Sequence, residues 1–285
     1  MEHVILQNAD LTVEISPKGA EIQRIQDAGG VERLWNGDPA FWSGRSPVLF
    51  PIAGALLDDT YTLDGKSYTL GKHGFARDSL FAVETSNNLS ATFLLTDAMA
   101  FQPGFPFGYA LRVRYTLEGN TLRTEYITNN TGKDTFYFAV GAHEAYACPE
   151  GSDTCEIVFE KPERLVRGVL AGSYLTHETE PVPTQGNVLP IQPRLFDNDS
   201  LVFAQHNSRS AILRSRLHNR QVRIDYADFD YLLIWTRPGA GFLCFEPWSN
   251  LPDYLDTDHD IAHKPGMTRL APGTSKTFTH TVTFS

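Results

Sequence analysis

Leu111-Arg112-Val113-Arg114-Tyr115-Thr116-Leu117-Glu118-Gly119-Asn120-Thr121-Leu122-Arg123-Thr124-Glu125-Tyr126 is the stretch on which the fold turns. Leu111, Val113, Tyr115 and Leu117 alternate with Arg112, Arg114 and Thr116, the chain turns at Glu118-Gly119-Asn120, and Leu122, Thr124 and Tyr126 resume the alternation. Successive side chains of a strand point to opposite faces, so a period of two predicts an antiparallel hairpin with one face buried. The same pattern recurs outward in both directions. Upstream, Leu11, Val13 and Ile15 alternate with Thr12, Glu14 and Ser16, and Tyr61-Thr62-Leu63 meets Lys66-Ser67-Tyr68-Thr69-Leu70 across Asp64-Gly65, a pair suited to the positive φ of a type I′ turn. Downstream, beyond the break at Asn129-Asn130-Thr131-Gly132, come Val222, Ile224 and Tyr226, then Tyr231 to Thr236, then Phe242 to Phe245, then Phe278, His280, Val282 and Phe284 on one face. Helical periodicity is scarce. The pattern predicts an all-β chain, a large antiparallel sandwich or barrel.

Composition narrows the class further. Hydrophobic residues at 41% and charged residues at 20% are globular values that exclude a disordered or fibrous chain. The 22 glycines and 17 prolines gather into no linker, so residues 1–285 are expected to form a single domain. A net charge of −10 without clustered Lys and Arg argues against nucleic acid as a partner. Cys148, Cys155 and Cys244 are odd in number and lack C-x-x-C spacing, which predicts free thiols and no zinc site. Residues Met1 to Asp10 show neither a basic nor an apolar leader region, and no apolar run is long enough to span a bilayer. The expectation is therefore a cytoplasmic protein without a membrane partner.

Several polar side chains stand in surroundings that tune protonation or offer hydrogen bonds. His73 lies in Gly71-Lys72-His73-Gly74-Phe75-Ala76-Arg77, a loop whose glycines permit close approach of backbone to a ligand. His143 follows the apolar segment Phe136 to Val140 on the rigid mount of a strand end, and adjacent Glu144 is expected to face the other way. Either histidine also suits an ordinary structural role, capping a turn or buried against backbone partners. Glu246 follows Gly241-Phe242-Leu243-Cys244-Phe245 and precedes Pro247-Trp248, so a carboxylate is expected at the end of an apolar strand beside an aromatic ring. Trp248 offers a stacking face for the C–H surface of a sugar, while Trp35, Trp42 and Trp235 read as core. Arg45, between an aromatic turn and an apolar strand, can donate several hydrogen bonds to hydroxyls. Asp199 and Asp197 both suit the turn ahead of Leu201-Val202-Phe203.

Taken in order, Arg45-Ser46-Pro47-Val48-Leu49-Phe50-Pro51-Ile52-Ala53-Gly54, Lys72-His73-Gly74-Phe75-Ala76-Arg77, Gly141-Ala142-His143 and Phe245-Glu246-Pro247-Trp248 resemble the aldose 1-epimerase (mutarotase) family, most closely its LacX-like branch. The resemblance implies a galactose mutarotase-like β-supersandwich, in which one sheet carries a cleft for a monosaccharide and no metal or organic cofactor takes part. It implies His143 as general acid at the ring oxygen and Glu246 as general base at the anomeric hydroxyl. Arg45, His73 and Asp199 are then implied as hydrogen-bonding partners of the sugar, with Trp248 beside it. The acid must be held protonated at neutral pH, and Glu246 or Asp199 is expected to raise the His143 pKa. One departure bears on substrate preference: Glu144-Ala145-Tyr146-Ala147 follows the histidine where galactose mutarotases commonly have Pro-Tyr/Phe and Asn.

Three other readings share the same residues. A phosphorylated hexose as substrate needs further cations at the cleft rim, for which Arg77 is one candidate. A sugar-binding or sugar-sensing protein on the same scaffold needs no acid/base pair. A glycoside hydrolase needs two carboxylates, which Glu246 and Asp199 can supply. The assembly is expected to be a monomer or a homodimer.

Overall fold

The computed structural model describes residues 2–285. Two antiparallel sheets dominate it. The larger has nine strands in the order Val188–Pro190, Cys155–Phe159, Ser210–Ser215, Gln221–Asp225, Ser275–Phe284, Thr121–Asn130, Tyr109–Glu118, Ser90–Thr96 and Ala82–Ser86. The smaller has six, in the order Glu144–Ala147, Phe242–Trp248, Tyr231–Trp235, Leu201–Phe203, Val166–Ala171 and Tyr174–Pro181. Among the described residues there is no α-helix, only short 3₁₀ turns, and no helix is long and apolar enough to cross a membrane.

Both hairpins expected from the sequence form. Leu117 pairs with Leu122 in the long one. In the short one Leu63 pairs with Lys66 across Asp64 and Gly65, whose φ angles of 51° and 74° are those a type I′ turn demands. The inward side chains of the alternating strands meet between the sheets. Val113, Tyr115, Tyr126, Val282 and Phe284 from the larger sheet belong to the same buried cluster as Leu232, Ile234, Leu243 and Phe245 from the smaller. Burying each such side chain contributes about 1.5–3 kcal/mol, so this layer is the main stabilising element.

The other face of the six-stranded sheet positions the cleft. Along Phe242–Trp248 every residue is buried, because Leu243 and Phe245 face the core while Phe242, Cys244, Glu246 and Trp248 face a second layer. Two small apolar clusters build that layer. One joins Trp35, Ala145, Phe242 and Cys244; the other joins Leu49, Ala53, Leu233, Trp248 and Leu251. The strand runs three residues beyond the Phe242 to Phe245 that its sequence suggests, since Leu233 pairs with Glu246, Leu232 with Pro247 and Tyr231 with Trp248. Glu246 is therefore inside the strand, not at its end, and its backbone pairs with Leu233.

Candidate active site

Between the two apolar clusters lies a cleft of about 350 Å³, lined by Trp42, Lys72, His73, Arg77, His143 and Asp199, and by Trp235, Arg237, Glu246 and Trp248 among others. That volume suits a monosaccharide. His143 enters it from the segment between Phe136–Phe138 and Glu144–Ala147, where Gly141 lets the backbone close on its neighbours. A Cβ at Gly141 would stand 2.7 Å from Trp248 Cδ1 and 3.0 Å from Ala53 Cβ. Alternation then sends Glu144 to the other face, where its Oε1 lies 3.0 Å from His280 Nε2 in the core.

His143 Nε2 stands 3.3 Å from Glu246 Oε2, with the two side chains 11% and 2% exposed. Trp42 stacks on the His143 ring at 5.0 Å and 25°, and Trp235 meets it edge-on at 5.9 Å. His73 holds its ring 5.9 Å from that of His143 and 5.4 Å from that of Trp248. Gly54 N–H donates to His73 Nδ1 at 3.0 Å, while His73 N–H donates to the Gly54 carbonyl at 2.8 Å. The accepting Nδ1 fixes the neutral tautomer, so the remaining ring proton sits on Nε2. His73 adopts φ of 67°, an uncommon conformation for a side-chain-bearing residue and one that clusters at ligand sites.

The electrostatics reverse one expectation. Burial, together with Lys72 and Arg77, brings the His143 pKa down to about 3, so the nearby carboxylates do not raise it. Burial and then Asp199 push the Glu246 carboxyl well above the usual range. Burial lowers His73 as well, reinforced by His143, Lys72 and Arg77. Both shifts disfavour the charged form of their group, so burial favours the uncharged arrangement of the pair, neutral His143 beside protonated Glu246. In an NMR titration His143 is expected to stay neutral through the interval near pH 6.5 where an ordinary histidine titrates, and to protonate only near pH 3. A midpoint at or above 6.5 contradicts this electrostatic account.

Of the six site residues expected from sequence, the structure brings five to one cleft: His73, His143, Asp199, Glu246 and Trp248. Asp199, and not Asp197, lines it; Asp197 caps the 3₁₀ turn Pro193–Phe196. Arg45 does not line it. Its guanidinium donates to the Gln23 side chain and to the Asn36 carbonyl, which commits it to pinning the aromatic turn. Trp42 and Trp235 were expected in the core, yet they wall the cleft, and Lys72 and Arg237 were not singled out at all. Alternation does carry a signal for Trp235, which shares a face with Leu233 while Leu232 and Ile234 face the core.

Comparison with known proteins bears on the family and the fold. The aldose 1-epimerase family model matches residues 2–283. The chromosomal Protein LacX of Lactococcus lactis subsp. lactis is 32% identical, over 94% of each chain. A galactose mutarotase related enzyme from Lactobacillus acidophilus superposes with a TM-score of 0.94 at 32% identity, covering 99% of this chain and 97% of that one. A galactose mutarotase-like protein from Lactobacillus casei superposes at 0.93 with 30% identity, covering 99% and 100%. The fold is galactose mutarotase-like, and by the match along nearly its whole length the chain belongs to the aldose 1-epimerase family.

Proposed function

We propose that this protein interconverts the α and β anomers of an aldose, with His143 and Glu246 as the acid/base pair. The observation that carries the reading is the 3.3 Å approach of His143 Nε2 to Glu246 Oε2 at the floor of an aromatic-walled cleft of monosaccharide size. The uncharged arrangement of the pair carries a single exchangeable proton, and the reaction needs one. A sugar hydroxyl donating to Glu246 favours its ionised form, which moves the shared proton to His143. Glu246 then takes the C1 hydroxyl proton while His143 delivers its proton to the ring oxygen, and the bond between C1 and the ring oxygen breaks. The aldehyde turns about the C1–C2 bond, and closure returns each proton along the opposite path.

The neighbours have parts to match. His73 presents its Nε2 proton to an oxygen of the sugar, Asp199 accepts from a hydroxyl, and Trp42, Trp235 and Trp248 offer faces to the C–H surface. Freshly dissolved α-D-galactose and α-D-glucose provide the first test by polarimetry. Acceleration of either above the uncatalysed rate supports the reading. A folded protein that accelerates neither of them nor their 6-phosphates refutes it.

A second substrate class is favoured by a separate observation. Lys72, Arg77 and Arg237 all line the cleft in a chain whose net charge is −10. Three cations gathered against the overall charge suit a phosphorylated aldose. A charge-assisted hydrogen bond contributes about 1.5–3 kcal/mol, so Lys72→Ala or Arg237→Ala is expected to lower kcat/KM for a hexose 6-phosphate roughly 10- to 100-fold. The neutral aldose should be nearly unaffected. Equal losses on both substrates remove this reading and leave the neutral sugar.

A further inference from the structure

We propose that His143, Cys244 and Glu246 together form a binding site for a thiophilic divalent cation, Zn²⁺ by its chemistry, which blocks the cleft when it binds. The observation is geometric. One donor atom from each, an imidazole nitrogen, the Cys244 Sγ and a carboxylate oxygen, lie within 4.8 Å of one another. Cys244 and Glu246 stand two apart on one strand, so period-two alternation places both on the cleft side of the sheet.

A tetrahedral zinc ion holds sulfur at about 2.3 Å and nitrogen or oxygen at about 2.0–2.2 Å, which separates its ligands by roughly 3.3–3.8 Å. His143 Nε2 and Glu246 Oε2 already meet that separation at 3.3 Å. Sγ has to close by up to roughly 1–1.5 Å to complete three ligands. Three protein ligands leave a fourth tetrahedral position for a water or a sugar hydroxyl. One soft thiolate with one imidazole selects zinc, cobalt or cadmium over magnesium and calcium, which prefer oxygen donors.

The ion is an exchangeable inhibitor, not a resident group. A metal-bound histidine ordinarily donates its other ring N–H to an outer partner, an arrangement worth 10- to 100-fold in affinity. His143 Nδ1 is buried without such a partner. Coordination releases the thiol proton and the proton carried by the His143–Glu246 pair, and occupies both the imidazole lone pair and the carboxylate, the two groups that exchange protons with the sugar. The binding site stands on the donor geometry alone, whereas inhibition rests on the mutarotase reading.

Co²⁺ added to the whole protein tests binding without reference to activity. The wild type is expected to show a near-ultraviolet thiolate-to-cobalt charge-transfer band that Zn²⁺ displaces and that is lost in Cys244→Ala and in Cys244→Ser. The serine variant nearly conserves volume, and both keep Cys148 and Cys155. Zn²⁺ should also inhibit wild-type mutarotation reversibly, with the inhibiting concentration raised at least tenfold in either variant relative to its own metal-free rate. No band in the wild type, or an equal band in the folded variants, overturns the site. A Cys244-dependent band without inhibition keeps the site and overturns its blocking role.

Discussion

Glu246→Gln and His143→Asn are each expected to lower the catalysed mutarotation rate by roughly 10²- to 10⁴-fold, the range in which a positioned acid or base contributes. The two substitutions conserve size, so the cleft keeps its shape. Glu246→Gln removes the carboxyl that shares the proton, and His143→Asn removes the imidazole stacked on Trp42. On the proposed mechanism, in which the two groups act as one proton-carrying unit, the double variant should lose little more than either single one. Losses that multiply would mean that the residues act independently. Retained binding of the sugar, read by quenching of the cleft tryptophans, separates lost chemistry from lost affinity.

Lys264→Met is expected to destabilise the fold by about 3–5 kcal/mol, the cost of leaving one partner of a buried ion pair without the other. Lys264 Nζ stands 2.5 Å from Asp253 Oδ1, with side chains 3% and 4% exposed. Burial lowers the Lys264 pKa while Asp253 opposes that shift. The other Asp253 oxygen accepts the Leu57 N–H at 2.8 Å, and Asp253 N–H donates to the Ala55 carbonyl at 2.9 Å. Asn250 next to it clasps Ala53 through both its amide nitrogen and its oxygen. These bonds hold the segment that carries Gly54, on which His73 depends for its tautomer. Urea denaturation should also show Lys264→Met/Asp253→Asn recovering most of the loss, since neither charge then remains buried. A loss below about 1 kcal/mol for Lys264→Met alone would show that the pair is not a stabilising clasp.

Much of the fold was legible because strands write their pairing into short stretches. The alternation across Leu111 to Tyr126 gives the hairpin and its buried face, and Asp64-Gly65 gives a turn that backbone sterics alone decide. The lining of the candidate cleft was legible where a motif coincides with a constraint of the backbone, as at His73, His143 and Glu246. It was not legible where the outcome depends on partners far along the chain. Arg45 has the chemistry to bind hydroxyls, but Gln23 and Asn36 claim it. Trp42 reads as core from its apolar neighbours, and only the fold lays it on His143. The protonation of His143 is likewise a property of three-dimensional burial and of Lys72 and Arg77, none of which the spacing of residues discloses. Cys244 was accessible to a stricter use of alternation, two residues before Glu246 on the same face.

The central claim, that the His143–Glu246 pair opens and closes an aldose ring, is tested most directly by magnetisation exchange between the α and β anomeric proton signals at equilibrium. The measurement takes galactose, glucose and their 6-phosphates in turn, with wild type and Glu246→Gln at equal concentration. The account predicts faster exchange for at least one of these sugars with the wild type and none above background with the variant. Binding of a sugar by folded wild type without acceleration of any exchange would contradict it, and would leave a protein that holds sugars without turning them over.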